Sequence, residues 1–165
     1  MTAPDDRAIL LHLLHRGGRR LPRGGWPAAA CHVWDDLIDL AARQRVRPLL
    51  HRAVAGSGLD EHIPVRVRQA VALAYRETAL RNLRLCAELA KVARDLGARD
   101  VPVLVLKGAH LVADLYHDVG LREMNDLDVL VQVEHLPTAV EVLREHGYQA
   151  LRPSTIEPMW QRRIT

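Results

Sequence analysis

Two aspartates one residue apart, Asp126 and Asp128, open the run Asp-Leu-Asp-Val-Leu-Val-Gln-Val at 126–133. Alternate residues of a strand project to one face, so these carboxylates would converge from Cα atoms roughly 6–7 Å apart. Like charges on an otherwise apolar strand are costly unless a cation lies between them, and a divalent metal is the usual answer. Mg²⁺ is held by one or two carboxylates plus substrate phosphates, and a two-metal site about 4 Å across stabilises the attacking and leaving oxygens of phosphoryl transfer. An Asp-x-Asp pair alone carries little weight, because aspartates at strand starts also cap turns or face water.

A second element adds to it. Lys107 and Gly108 follow the apolar run Val-Pro-Val-Leu-Val-Leu at 101–106 and precede a stretch, Ala109 to Tyr116, that fits two helical turns. Glycine permits close backbone approach, and the unpaired amides where a strand passes into a helix suit a phosphate. A plain strand-to-helix turn would explain the dipeptide by itself. Lysine is rare here, Lys91 and Lys107 standing among basic residues that are otherwise arginine, which makes a lysine at this position conspicuous.

The elements that must position these residues can be read from pattern. Residues 5–16 predict a short amphipathic helix, and Gly17, Gly18, Pro22, Gly24 and Gly25 a loop. A second helix starting near Pro27 carries Val33, Leu37 and Leu40 on one face, and a third follows Pro48 and ends at 56–58. A long helix runs from Pro64 to a cap at Gly97, burying Leu85, Leu89, Val92 and Leu96. The run 101–106 reads as a buried strand and 126–133 as a second. Residues 136–146 form a helix that Gly147 stops, Tyr148 to Leu151 begin a third strand, and no closing element is expected through Thr165. The expected fold is α+β: a helical region over 1–98, a small mixed α/β core over 99–151 and a tail over 152–165.

Composition bounds the rest. The chain has 165 residues, 48% of them hydrophobic and 26% charged, which predicts a real core and excludes a disordered chain. With no Phe, three Trp and three Tyr, aliphatic packing must hold it, Trp26 and Trp34 included in the helical core. The net charge of +3 suits an anionic substrate, but the arginines are scattered along helices, so nucleic acid is not the expected partner. Cys31 and Cys86 lack metal-ligand spacing and imply a reducing, cytoplasmic setting. His12 and His15 have no acid or cysteine beside them, His110 reads as helix surface, and Asp35, Asp36 and Asp39 as a solvated edge. His12 also breaks the apolar stretch near the N-terminus and no run approaches about 20 apolar residues, so neither a signal peptide nor a membrane span is expected.

Together the motifs resemble the polymerase-beta-type nucleotidyltransferase superfamily, in its bacterial branch of poorly characterised members. The resemblance lies in Val103-Leu-Val-Leu-Lys-Gly-Ala-His110, Tyr116, Leu121-Arg122, Asn125-Asp-Leu-Asp-Val-Leu-Val131 and Gly147-Tyr148, with Arg47-Pro-Leu-Leu50 and Asn82 upstream. It implies that Gly108 and the Ala109 backbone cradle the phosphates of a nucleoside triphosphate, that Lys107 and Arg122 face those phosphates, and that Asp126 and Asp128 are the catalytic carboxylates and hold Mg²⁺. The implied reaction is attack of an acceptor on the α-phosphate with release of pyrophosphate, AMP being the expected group transferred.

The sequence departs from the family in two places. Gly108-Ala109 stands where Gly-Ser or Gly-Gly is common, which removes a hydroxyl but keeps the backbone amide. The family's third carboxylate, expected from a later strand, is not recognised in this sequence, since Ile156-Glu157-Pro158 does not read as that strand. Three functions follow: a transferase acting on a small molecule, peptide or protein; a nucleotide-binding regulatory module lacking the third acid; and an antitoxin-like partner, which the missing Gly-Ser weakens. An oligomer or partner chain is compatible with each.

Overall fold

The computed structural model describes residues 6–16, 31–55, 63–150 and 160–161. The loop at 17–25, Trp26, the turn at 56–58 and Glu157 lie outside these. The elements are α1 (Asp6–Arg16), α2 (Cys31–Arg43), α3 (Arg47–Ala55), α4 (Val65–Gly97), β1 (Leu104–Leu106), α5 (Lys107–Leu111) with a π-turn at Val112–Tyr116, β2 (Asp128–Leu130), α6 (Leu136–Glu145), β3 (Gln149–Ala150) and β4 (Trp160–Gln161). The fold is α+β. None of the described helices is long and apolar enough to cross a membrane. The chain divides into two units, Met1–Leu83 with His110–Asn125, and Arg84–Ala109 with Asp126–Thr165.

The first unit is built on apolar stripes. Leu37 and Leu50 are fully buried, with Ile9, Leu10, Trp34, Leu40, Val67 and Val71 around them, and Val33 packs at the margin. The predicted α2 face and the packing role of Trp34 are therefore as expected. Asp35, Asp36 and Asp39 are exposed, and Asp35 pairs with Arg66. Helix α4 starts where proline allows, the Pro64 carbonyl accepting from the Val67 and Arg68 amides at 2.9 and 3.2 Å.

Within this unit α4 also carries a polar stripe, Tyr75, Thr78 and Asn82, spaced three and four apart as one helix face requires. It holds the loop at 117–125. The Asn82 amide nitrogen, in a fully buried side chain, donates to the carbonyls of Val119 and Arg122 at 2.6 and 2.7 Å. The Tyr75 hydroxyl donates to Asp118 at 3.0 Å, and the same carboxylate oxygen accepts from the Gly120 amide at 2.8 Å. Gly120 is required by space: a Cβ there would lie 2.3 Å from the Tyr75 ring. Leu121 and Met124 are buried beside it, and Arg45 pairs with Glu123 at 3.6 Å.

In the second unit β1 and β2 pair antiparallel, Leu104 opposite Leu130, Val105 opposite Val129 and Leu106 opposite Asp128. Val92, Leu96, Val101, Ala139 and Val142 form its core, with Val103, Val131, Leu143 and Tyr148 against them. Polar ties close it: Arg99 forks onto Glu145 at 2.6 and 2.8 Å, and His146 meets Asp95 at 2.7 Å.

Several expectations need correction. The run 101–106 is not a strand buried on both faces: only 104–106 is strand, and Leu104 is 59% exposed, because one face of the two-stranded ribbon carries the core-facing valines. The 126–133 strand begins only at Asp128. Gly97 ends α4, but the left-handed residue after it is Asp100, with φ 54°, a conformation that aspartate tolerates. The chain does gain a closing element, β4, paired antiparallel with β3.

Two outcomes are expected. Gly120→Ala should cost about 1–3 kcal/mol in urea unfolding through its clash with Tyr75, and Asn82→Ala a similar ~1–3 kcal/mol by leaving two loop carbonyls unpaired. Burial, then the charge of Arg76, lowers the His51 pKa below its ordinary 6.5, with Asp118 opposing. The unfolded chain therefore binds the proton first, so this contribution is present above pH 6.5 and lost as pH falls below it. His51→Gln should flatten that part of the stability–pH curve; an unchanged slope would exclude the linkage.

Candidate phosphate and metal site

The site starts from the pleat of the β1–β2 ribbon. Opposed residues share a face, so Leu104, Leu106, Asp128 and Leu130 lie on one side. Alternation puts Val105 and Val129 on the other, where the neighbouring Val103 and Val131 meet the core. Asp128 thus stands on the face turned away from that packing, its side chain 27% exposed.

Lys107 is the first residue past β1, one beyond the partner of Asp128. Its ammonium donates to Asp128 Oδ1 at 2.8 Å, while the Lys107 side chain stays 71% exposed. Its backbone has φ 49°, the left-handed region that costs a residue bearing a Cβ roughly 1–2 kcal/mol. The reversal at the end of β1 therefore falls on the lysine, with Gly108 following half-buried inside α5. Such strain persists only where the surroundings impose it, and Arg45, Asp100 and His117 share this conformation.

The other predicted residues are placed as follows. Ala109 is buried, with 7% of its surface exposed. Asp126 is exposed and lies two residues before the first residue of β2. Arg122 belongs to the first unit, where its carbonyl is held by Asn82 and its Nε is buried without a hydrogen-bond partner among the described residues. Lys107 and Asp128 are thus brought together directly. His110 pairs with Asp114 one turn along at 3.1 Å, in keeping with a helix-surface histidine.

The donor set can be tested against the implied metal. Asp126 and Asp128 offer hard carboxylate oxygens at or near solvent, which fits Mg²⁺, an ion that keeps several waters and completes its shell with phosphate oxygens. No cluster of three or more His, Cys, Asp or Glu side chains able to hold a metal is present among the described residues. Sequence reasoning missed the left-handed backbone at Lys107 and the anchoring of the 117–125 loop. The signal for the second was there: Tyr75, Thr78 and Asn82 interrupt an otherwise apolar helix face at helical spacing.

No curated protein and no solved structure gives a match. A family described as uncharacterised nucleotidyltransferase matches residues 31–163, a span that includes Asn82, Lys107, Gly108, Arg122, Asp126 and Asp128. With most of its length matched, and with a lysine–aspartate pair set where a strand turns into a helix, the chain belongs to this uncharacterised nucleotidyltransferase family.

Proposed function

We propose that the protein transfers a nucleoside monophosphate, AMP for preference, from a triphosphate to an acceptor, using Asp126 and Asp128 to hold Mg²⁺ and Lys107 with the Gly108–Ala109 backbone to hold phosphates. The observation that carries this is the Lys107–Asp128 pair at 2.8 Å on a strained backbone, within the matched region. The acceptor oxygen bonds the α-phosphorus and the bond to the α–β bridging oxygen breaks. Pyrophosphate leaves with the electron pair, and the acceptor proton passes to solvent.

Lys107 and Asp128 neutralise each other. In a bound metal triphosphate Asp128 would hold the cation and Lys107 a phosphate oxygen, so neither charge would be left unpaired. Lys107 then counters charge that grows on the leaving pyrophosphate, an interaction stronger in the transition state than before it. Mg²⁺, when bound, supplies neutralisation of the phosphate oxygens.

Calorimetry with Mg²⁺ and α,β-methylene ATP tests the reading. Asp128→Asn should weaken binding at least about tenfold, a loss of roughly 1.4 kcal/mol or more, and unchanged affinity would sink the metal assignment. Gly108→Val should fold yet lose triphosphate binding, since a branched Cβ would push the phosphates away.

Lys107 separates function from folding. Lys107→Gly relieves the left-handed strain but removes an exposed ion pair and loosens the unfolded chain, so its unfolding free energy should move by less than about 1 kcal/mol. Its triphosphate affinity should nonetheless fall about tenfold. A lysine kept only for structure would instead leave binding unaffected.

The regulatory-module reading differs in turnover. Transfer from labelled ATP separates the two: turnover supports the transferase, whereas triphosphate binding without turnover supports the regulatory module, because loss of general-base assistance costs about 10²–10⁴-fold in rate.

A further inference from the structure

The face that carries Asp128 is apolar beyond it. Leu104 and Leu130 are directly opposed across the ribbon, yet they are 59% and 55% exposed. A hollow at that end of the ribbon is lined by Leu104, Leu130 and Val133 together with Val103 and Val131 from the core-facing side, and Val133 is 83% exposed. Leucines side by side in solvent on a strand pair are unusual, because apolar side chains of a ribbon normally go to the packed face. On the other face Val103 and Val131 pack against the core, while Val129 is 36% exposed.

Register fixes the order along the exposed face. Lys107 lies past one end of β1, Asp128 comes next opposite Leu106, and the Leu104–Leu130 pair follows one strand step further on, with the Cα atoms of Asp128 and Leu130 roughly 6–7 Å apart. The apolar pair and the lysine are therefore on opposite sides of Asp128. Phosphoryl displacement runs in line, the attacking and leaving oxygens on opposite sides of the phosphorus. If pyrophosphate leaves toward Lys107, the acceptor must arrive from the side of Leu104 and Leu130.

We propose that the acceptor is a hydroxyl carried on an apolar chain or ring, and that Leu104 and Leu130 are the specificity-determining residues that seat its apolar body. The inference rests on the transfer reading above. In the step it implies, the acceptor oxygen bonds the α-phosphorus, the bond to the bridging oxygen breaks, and pyrophosphate departs on the Lys107 side. The hydroxyl proton goes to solvent. Charged or strongly hydrated acceptors would lose their water against the two leucines without recovering hydrogen bonds, and so are disfavoured.

Methyl NMR on the leucine-labelled chain decides it, with Mg²⁺ and α,β-methylene ATP present and 4-phenylbutan-1-ol as probe against butane-1,4-diol. Leu104 and Leu130 methyls should shift saturably with the phenyl alcohol and not with the diol. The double variant Leu104→Ser, Leu130→Ser should weaken the phenyl alcohol at least about tenfold while leaving nucleotide affinity unchanged. Both side chains are exposed, so this variant should fold.

Three results overturn the proposal. Methyls unmoved by the phenyl alcohol leave it no seat there. Methyls that respond to the nucleotide analogue but not to magnesium tripolyphosphate give the face to the nucleoside. Self-association that the double variant abolishes gives it to a second copy of the chain. Failure of the transfer reading looks different: neither the analogue nor tripolyphosphate would then perturb resonances of Lys107 or Asp128, and the acceptor proposal would fall with it.

Discussion

One buried amide sets the course of the chain in the first unit. Asn82 gives both N–H bonds to carbonyls of a single loop, Val119 and Arg122, from a side chain with no exposed surface. A loop has no ladder of its own, so its carbonyls must find donors when buried. Aspartate cannot donate, and leucine would leave both carbonyls bare. The Asn82 Oδ1 has no partner among the described residues, so the donated bonds justify burying this group. With the loop held, Gly120 slides under the Tyr75 ring and Leu121 and Met124 enter the core. The Arg122 backbone is fixed in the same stroke.

The second unit solves a different problem, how to keep charge on an apolar ribbon. Asp128 is opposed to Leu106 and followed by valine and leucine, a setting with little else to compensate a carboxylate. Lys107, where the backbone takes φ 49°, meets it at 2.8 Å. A surface ion pair is worth about 0–1 kcal/mol, whereas the left-handed conformation costs roughly 1–2 kcal/mol. Glycine would meet the same backbone requirement without a Cβ, so the lysine side chain is not what the turn itself demands. Arg45 has the same backbone conformation and is likewise paired with a carboxylate, Glu123, so the role of the Lys107 cation rests on its place beside Asp128 and not on the strain alone.

Legibility in the sequence followed the range of the forces involved. Helix α4 was readable because its stripe repeats over 33 residues with a proline before it and a glycine at its end. Trp34 and Leu37 were readable from the same periodicity. The ribbon was readable as two strands but not in its lengths: a run such as 101–106 has no period to say which side is packed, and only the neighbours Val92, Val101 and Val142 decide it. Asp126 and Asp128 were legible as a pair, yet the strand takes in only the second. The positive φ of Lys107 left no local mark, since Gly108 beside it is the residue one would assign to the turn. The exposure of Leu104 and Leu130 was equally hidden, because apolar residues on both faces look alike in sequence.

The same packing bears on the departure at Ala109. In a Gly-Ser version the serine hydroxyl would be expected to reach a phosphate, and its loss would weaken the cradle. Here residue 109 has only 7% of its surface exposed, so a hydroxyl in its place would be largely removed from solvent and would need a partner inside. Alanine avoids that cost and has the best helix propensity, which suits the start of α5 after a strained residue. The phosphate contacts proposed for this junction then fall to main-chain amides and to the Lys107 ammonium. A cradle of that kind depends on backbone shape more than on side-chain identity, and the backbone shape at this junction is set at Lys107.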